Sequence, residues 1–147
     1  EVLAHEAVAL RELVAQYQPD QSVVVITGDG EQLMGIGSLG TIAVKQPKNL
    51  TIVVLDNGHY GETGMQRSHS SLGTDLVAVA KGFGIADAFA TSTLEGSDDI
   101  ARRVMARAGT VFAQVFVEVE ELPRALPPRD GSYIKNRFRA ALGLKPF

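Results

Sequence analysis

The sequence predicts an α/β fold, a parallel sheet flanked by helices on both faces. Three observations predict it. Apolar runs rich in β-branched residues, VVVIT at 23–27 and LTIVVLD at 50–56, are continuous rather than alternating, as in strands buried on both faces. Segments of helical period separate the runs. Each junction is marked by Gly, Pro or a short polar residue. Taken in order, residues 2–17 place Leu3, Ala7, Leu10, Val14 and Tyr17 on one helical face, and QPDQS breaks that helix. A strand at 23–27 leads to a single helix over 31–45, ended by Pro47. The strand at 50–56 leads to a long polar, Gly-rich loop, NGHYGETGMQRSHSSLG, of the kind that carries function. A helix over 74–83 follows, with Thr74 as its N-cap, then a short strand at 86–90. A helix over 97–108 has Ser97 as candidate cap, and the last strand spans 111–120. LPRALPPRDG reads as a Pro-rich connection to a short basic helix over 132–142. The whole is expected to be one domain, 1–147, with a C-terminal tail from about 121.

Composition excludes several function classes. The chain has 147 residues, is 45% hydrophobic and 21% charged, and carries a net charge of −3. It lacks the basic excess that nucleic-acid or membrane-surface binding needs. There is no cysteine, hence no disulfide or thiolate metal site, which fits a cytoplasmic protein. No apolar run reaches the roughly 18 residues of a membrane span. The opening EVLAHEAVALRELVAQY carries acids and has none of the pattern of a signal peptide. Three histidines without metal spacing do not make a zinc site, and no Gly-x-Ser-x-Gly is present, although Gly37-Ser38 invites the comparison.

Between Val23 and Gly40 the chain holds five glycines, in two competing phosphate-binding patterns. Gly35-x-Gly37-x-x-Gly40 matches the dinucleotide fingerprint, and Asp56, 21 residues on from Gly35, stands where a ribose-binding acid belongs. That fingerprint requires its first glycine in the turn directly after a strand. Gly35 comes eight residues after Thr27, inside the predicted helix, so close packing of the helix on the sheet competes as an explanation. Gly28-Asp29-Gly30 does sit in a strand-to-helix turn, where two glycines allow close backbone approach and a helix N-terminus attracts anions. Asp29 would repel a bare phosphate; a carboxylate belongs there if a cation lies between them. Mg²⁺ takes one or two protein oxygens together with phosphate oxygens. Asn57, after the neighbouring strand, supplies a second oxygen beside the Gly58-His59-Tyr60-Gly61 turn. The competing plain roles are Asp29 as a helix cap and Asn57 as an Asn-Gly turn residue.

Gly-Asp-Gly, 26 residues and then Asn resembles the cofactor-binding motif of thiamine diphosphate-dependent enzymes. The stretch GDGEQLMGIGSLGTIAVKQPKNLTIVVLDNGHYGETG, and the closing PPRDGSYIKNRFRAAL, are most similar to the diphosphate-binding half of phosphonopyruvate and sulfopyruvate decarboxylases. The resemblance implies the thiamine diphosphate-binding fold, a 2-oxo acid decarboxylase activity, and the cofactors thiamine diphosphate and Mg²⁺. It implies that Asp29, Asn57 and the backbone carbonyl of His59 hold the metal. It also implies that Gly28, Gly30, Glu31, Tyr60 and Gly61 surround the diphosphate, with amides of Gly30 and Glu31 donating. Asp56 departs from the Asn that many members carry there. The activating glutamate is expected on a pyrimidine-binding domain or partner subunit, which makes an oligomer the expected state. Two alternatives stay open: a nucleotide-cofactor oxidoreductase using Gly35, Gly37, Gly40 and Asp56, and an assembly module without catalysis. In the long loop, Glu62, Thr63, Arg67 and His69 are either solvated or near the anionic tail of a substrate. Lys135, Arg137 and Arg139 form a solvated face or one that docks on a partner.

Overall fold

A computed structural model describes residues 14–120, 126 and 128–145. Of the helix expected at 2–17, residues 14–17 are helical and positions 2–13 lie outside the described residues. The Asn49 side-chain amide closes the end of this helix, donating to the carbonyls of Ala15 (3.1 Å), Gln18 (3.0 Å) and Gln21 (2.7 Å).

Four strands form one parallel sheet: β1 (Val23–Gly28), β2 (Leu50–Asp56), β5 (Asp87–Thr91) and β6 (Val111–Phe116), in the order β1-β2-β6-β5. Two short strands, β3 (His59–Tyr60) and β4 (Gln66–Arg67), pair antiparallel inside the long loop. The helices are α1 (Asp29–Met34), α2 (Ser38–Lys45), α3 (Leu76–Phe83), α4 (Leu94–Ala106) and α5 (Gly131–Ala141). Register sorts the core. Val25, Ile52, Phe112 and Ala88 lie side by side across the sheet and pack with Leu39, Ile42, Leu76 and Ala80 of α2 and α3. One residue further along, Val53 and Ala113 are neighbours that point to the opposite face, where they meet Ile100 of α4. Both faces are covered along β2 up to Val54, which accounts for its continuous apolar run, whereas β1 lies at the sheet edge and leaves Val24 and Ile26 exposed on the α4 side. On the α4 side, Arg103 pairs with Asp87 (2.5 Å) and Asp99 (2.7 Å), and its guanidinium lies 4.7 Å from the Phe89 ring centre. The hydrogen bond from Arg103 holds the Asp99 carboxyl below the usual carboxylate range.

Several expected boundaries are corrected. The single helix over 31–45 is two helices. Gly35 closes α1, with its N–H on Glu31 O at 3.0 Å, and Gly37 opens α2. Three successive i→i−3 bonds, from Ser38, Leu39 and Gly40, carry the chain across the break. Two glycines so close together remove the incentive to stay helical, at about 1 kcal/mol each. Gly40 is pressed against α3: a Cβ there would lie 3.4 Å from Phe83 Cε1, so it packs helix on helix rather than helix on sheet. Asp75, not Thr74, caps α3, accepting from Ala78 N at 2.8 Å. Thr93, not Ser97, caps α4, accepting from Gly96 N at 3.1 Å. The last strand ends at Phe116; Val117 makes one further bond to Asp56 O and the chain to 120 is irregular. The final helix begins at Gly131 under an Asp130 cap. No helix among the described residues is long and apolar enough to cross a membrane.

Candidate cofactor-binding site

The site is set by register. Gly28 of β1 pairs with Leu55 of β2, so the next residues, Asp29 and Asp56, emerge together at the carboxyl rim of the sheet. Ligands of open α/β sheets bind at this rim. Gly28 is extended (φ −92°, ψ 165°) and caps α1. The Glu31 side chain reaches back, accepting from Thr27 Oγ1 at 2.9 Å and Gly28 N at 3.3 Å. Its carboxylate therefore lies on the cap while its backbone amide stays in the first turn, where a helix leaves N–H groups without internal partners.

Asp29 is the first residue of α1, is 2% exposed, and does not cap the helix. Its Oδ2 instead accepts from Ser68 Oγ and, at 3.1 Å, from Ser70 Oγ. The capping role weighed for Asp29 is therefore set aside. Gly30 faces the Tyr60 ring so closely that a Cβ would lie 2.7 Å from Cδ1. One turn further along α1, Gln32 is fully buried. Its amide nitrogen and oxygen have no hydrogen-bond partner among the described residues.

The chain then reverses over Asp56-Asn57-Gly58-His59 in two overlapping side-chain turns. Asp56 Oδ1 accepts from Gly58 N at 2.8 Å, and Asn57 Oδ1 accepts from His59 N at 2.9 Å. Asn57 does have the turn role weighed for it, and its amide oxygen keeps a second lone pair. Gly58 has φ +71°, and a Cβ would lie 2.9 Å from Ser71 Cβ, so only glycine fits. His59 Nδ1 meets the Asn57 carbonyl at 2.9 Å; a carbonyl only accepts, so Nδ1 carries the proton. The imidazole thus braces the turn, a task the resemblance did not give it. The His59 carbonyl accepts from Gly61 N at 3.1 Å. Asp56 is buried and fully met: Gln114 Nε2 donates to Oδ2 at 2.6 Å, and Ser70 Oγ lies 2.9 Å from Oδ1.

Sequence reasoning missed Ser68, Ser70 and Gln114. The serine-rich SHSS hinted at polar work in the loop, but nothing local links it to a carboxylate about forty positions earlier. Arg67 and His69 tie the loop to itself. The Arg67 guanidinium binds Ser71 Oγ (3.2 Å) and its carbonyl, and Tyr60 OH meets His69 Nδ1 at 2.5 Å. Thr63 Oγ1 lies 3.4 Å from Gln66 Oε1 within the hairpin. Beside the rim, Ser70, Thr74, Asp75, Val77, Gln114 and Phe116 line a cavity of about 460 Å³.

The donor set suits a small hard cation. Asp29 Oδ1 has no hydrogen bond among the described residues, while Asn57 Oδ1 and the His59 carbonyl each keep a lone pair. Among the described residues no group of three His, Cys, Asp or Glu could hold a metal by side chains alone. One carboxylate with neutral oxygens leaves coordination positions for phosphate oxygens.

Comparison with known proteins identifies the family. Residues 7–115 match the model of the thiamine pyrophosphate enzyme family, C-terminal TPP binding domain. Sulfopyruvate decarboxylase subunit beta of Methanocaldococcus jannaschii is 46% identical over 76 residues, covering 52% of this chain and 40% of the relative. Phosphonopyruvate decarboxylase of Streptomyces viridochromogenes is 35% identical over 138 residues, covering 90% of this chain and 33% of the relative. The chain therefore spans less than half the length of either relative. The thiamine diphosphate-dependent 4-hydroxybenzoylformate decarboxylase of Rhodococcus jostii RHA1 shares the fold, with a TM-score of 0.61 at 22% identity over 80% of this chain and 24% of that one. The chain belongs to the thiamine pyrophosphate enzyme family and corresponds to its C-terminal TPP-binding domain.

Proposed function

We propose that this member of the thiamine pyrophosphate enzymes is the diphosphate-binding half of a Mg²⁺-dependent 2-oxo acid decarboxylase of the sulfopyruvate and phosphonopyruvate kind. The observation that carries the reading is a buried carboxylate, Asp29, held at the tip of β1 level with the Asp56–Asn57 turn and spared from capping its own helix. Asp29, Asn57 Oδ1 and the His59 carbonyl hold Mg²⁺. First-turn amides of Gly30 and Glu31 donate to the diphosphate. Gly28, Tyr60 and Gly61 shape its surroundings, and the absence of a side chain at Gly30 lets Tyr60 close on the turn. When bound, thiamine diphosphate supplies the electron sink for loss of CO₂. The work of this chain is to bind that group, orient it and offset its charge.

The activating glutamate is assigned to a pyrimidine-binding domain or partner subunit, in an oligomer. The name of the methanogen relative, subunit beta, supports a second subunit. The substrate is a small 2-oxo acid, and the cysteine-free composition supports a cytoplasmic setting. The dinucleotide alternative loses its premise, because Gly35 ends a helix and Gly40 packs on Phe83.

Calorimetric titration of the full protein with thiamine diphosphate and Mg²⁺ tests the reading. Asp29→Ala is expected to weaken Mg²⁺-dependent binding at least about a hundredfold, beyond the usual loss from an outer partner. Unchanged affinity in that variant sinks the assignment.

A further inference from the structure

One hydroxyl stands between the two carboxylates of the site. Ser70 Oγ lies 3.1 Å from Asp29 Oδ2 and 2.9 Å from Asp56 Oδ1, and 2.8 Å from Ser68 Oγ. Ser68 Oγ also donates to Asp29 Oδ2. Each serine has a single proton to give, so the two hydroxyls cannot serve all four contacts at once. The two acids differ in their other partners. Asp56 has N–H donors from Gly58 and Gln114. Both hydrogen bonds reaching Asp29 come from serines. Without Ser70, Asp29 would keep one donor and face the Asp56 charge with nothing between them, in a buried setting where repulsion is little screened.

We infer that Ser70 is a positioning residue of the cation site: its hydroxyl fixes Asp29 Oδ2 against Asp56, leaving Asp29 Oδ1 for the metal and latching the 57–73 loop to the tip of β1. The inference rests on the reading of Asp29 as a metal ligand. It also gives Asp56 a role. Asp56 is the charge from which the Ser70 hydroxyl separates Asp29.

The test uses the full protein with its partner, thiamine diphosphate, and Mn²⁺ as the probe, free Mn²⁺ being read by electron paramagnetic resonance. Ser70→Ala is expected to weaken Mn²⁺ binding by about tenfold or more, the usual effect of losing a partner that orients a ligand. Ser70→Thr is expected to restore it to within about twofold, since the hydroxyl is kept and the extra methyl has the adjoining cavity to enter. In an Asp56→Asn background the Ser70→Ala loss is expected to shrink to less than about threefold, because the repulsion is gone. Wild-type affinity in Ser70→Ala overturns the inference. So does a Ser70→Thr variant as weak as Ser70→Ala, and so does an undiminished loss in the Asp56→Asn background. Should Ser70→Ala fail to fold, Ser70→Cys takes its place under the same thresholds, keeping the volume with a far weaker donor. Asp29→Ala, which removes every ligating oxygen at that position, separates the two layers. If it retains Mn²⁺, the metal-ligand reading itself fails; if it loses Mn²⁺ while Ser70→Ala does not, only the role of Ser70 fails.

Discussion

Gly30 shows how a single residue joins packing to the site. Its missing side chain is the space occupied by the Tyr60 ring, and the Tyr60 hydroxyl in turn holds His69 at 2.5 Å. A methyl at position 30 would lie 2.7 Å from ring carbon Cδ1, near the root of the side chain, so the whole ring must move. Gly30→Ala is expected to destabilise the protein by about 1–3 kcal/mol, as overpacking does. The cost should largely vanish in a Tyr60→Ala background, as urea midpoints will show. Equal costs in both backgrounds would mean that the ring is not the obstacle. At this scale the sequence was informative about residues whose chemistry is unusual for their place. A carboxylate, Asp29, in a Gly-rich strand-to-helix turn is what raised the proposal of a cation, with Asn57 as its companion, and the fold does bring Asp29 and the Asp56–Asn57 turn to one rim. The sequence was silent about Ser68, Ser70 and Gln114, whose roles come from contacts spanning between 14 and 58 positions. No local pattern marks a serine as the partner of a distant carboxylate.

At the scale of elements, type was legible and boundaries were not. The buried strands were found because an apolar run of that length between turn signals has few other solutions. Helix starts were misjudged where several capping residues stand in a row. In GTDL both Thr74 and Asp75 qualify; in TSTLEGS, Ser92, Thr93 and Ser97 all do. Geometry selects Thr93 because Gly96 lies against Thr91, where a Cβ would come within 1.9 Å of Oγ1, and this places the first turn of α4. Asp75 is selected because it alone reaches Ala78 N. Asp75→Ala should therefore cost about 1 kcal/mol of stability by denaturant titration, while Thr74→Ala should cost only a few tenths. The reverse order would return the cap to Thr74. The break at Gly35–Gly37 explains the apparent dinucleotide fingerprint: the glycines serve a helix end, a helix start and a close helix contact.

At the scale of the molecule, the sheet aligns two tips. Parallel pairing of β1 with β2 in continuous register delivers Asp29 and Asp56 to one rim, and the 57–73 loop folds back over them through Ser68 and Ser70. Core rows on both faces, centred on Phe112 and Ala113, hold that register and hence the site. Periodicity made this architecture legible, since alternation of strands and helices leaves little choice but a parallel sheet with its ligands at the carboxyl end. The fold-back of the loop was beyond it, because polar loop residues carry no period. The most direct measurement is a crystal structure of the full assembly with thiamine diphosphate and Mn²⁺, the metal located by anomalous scattering. One metal peak is expected, bound by the Asp29 carboxylate, Asn57 Oδ1 and the His59 carbonyl and shared with diphosphate oxygens. A metal that leaves Asp29 uncoordinated, or a diphosphate seated on the Gly35–Gly40 turn, would contradict it.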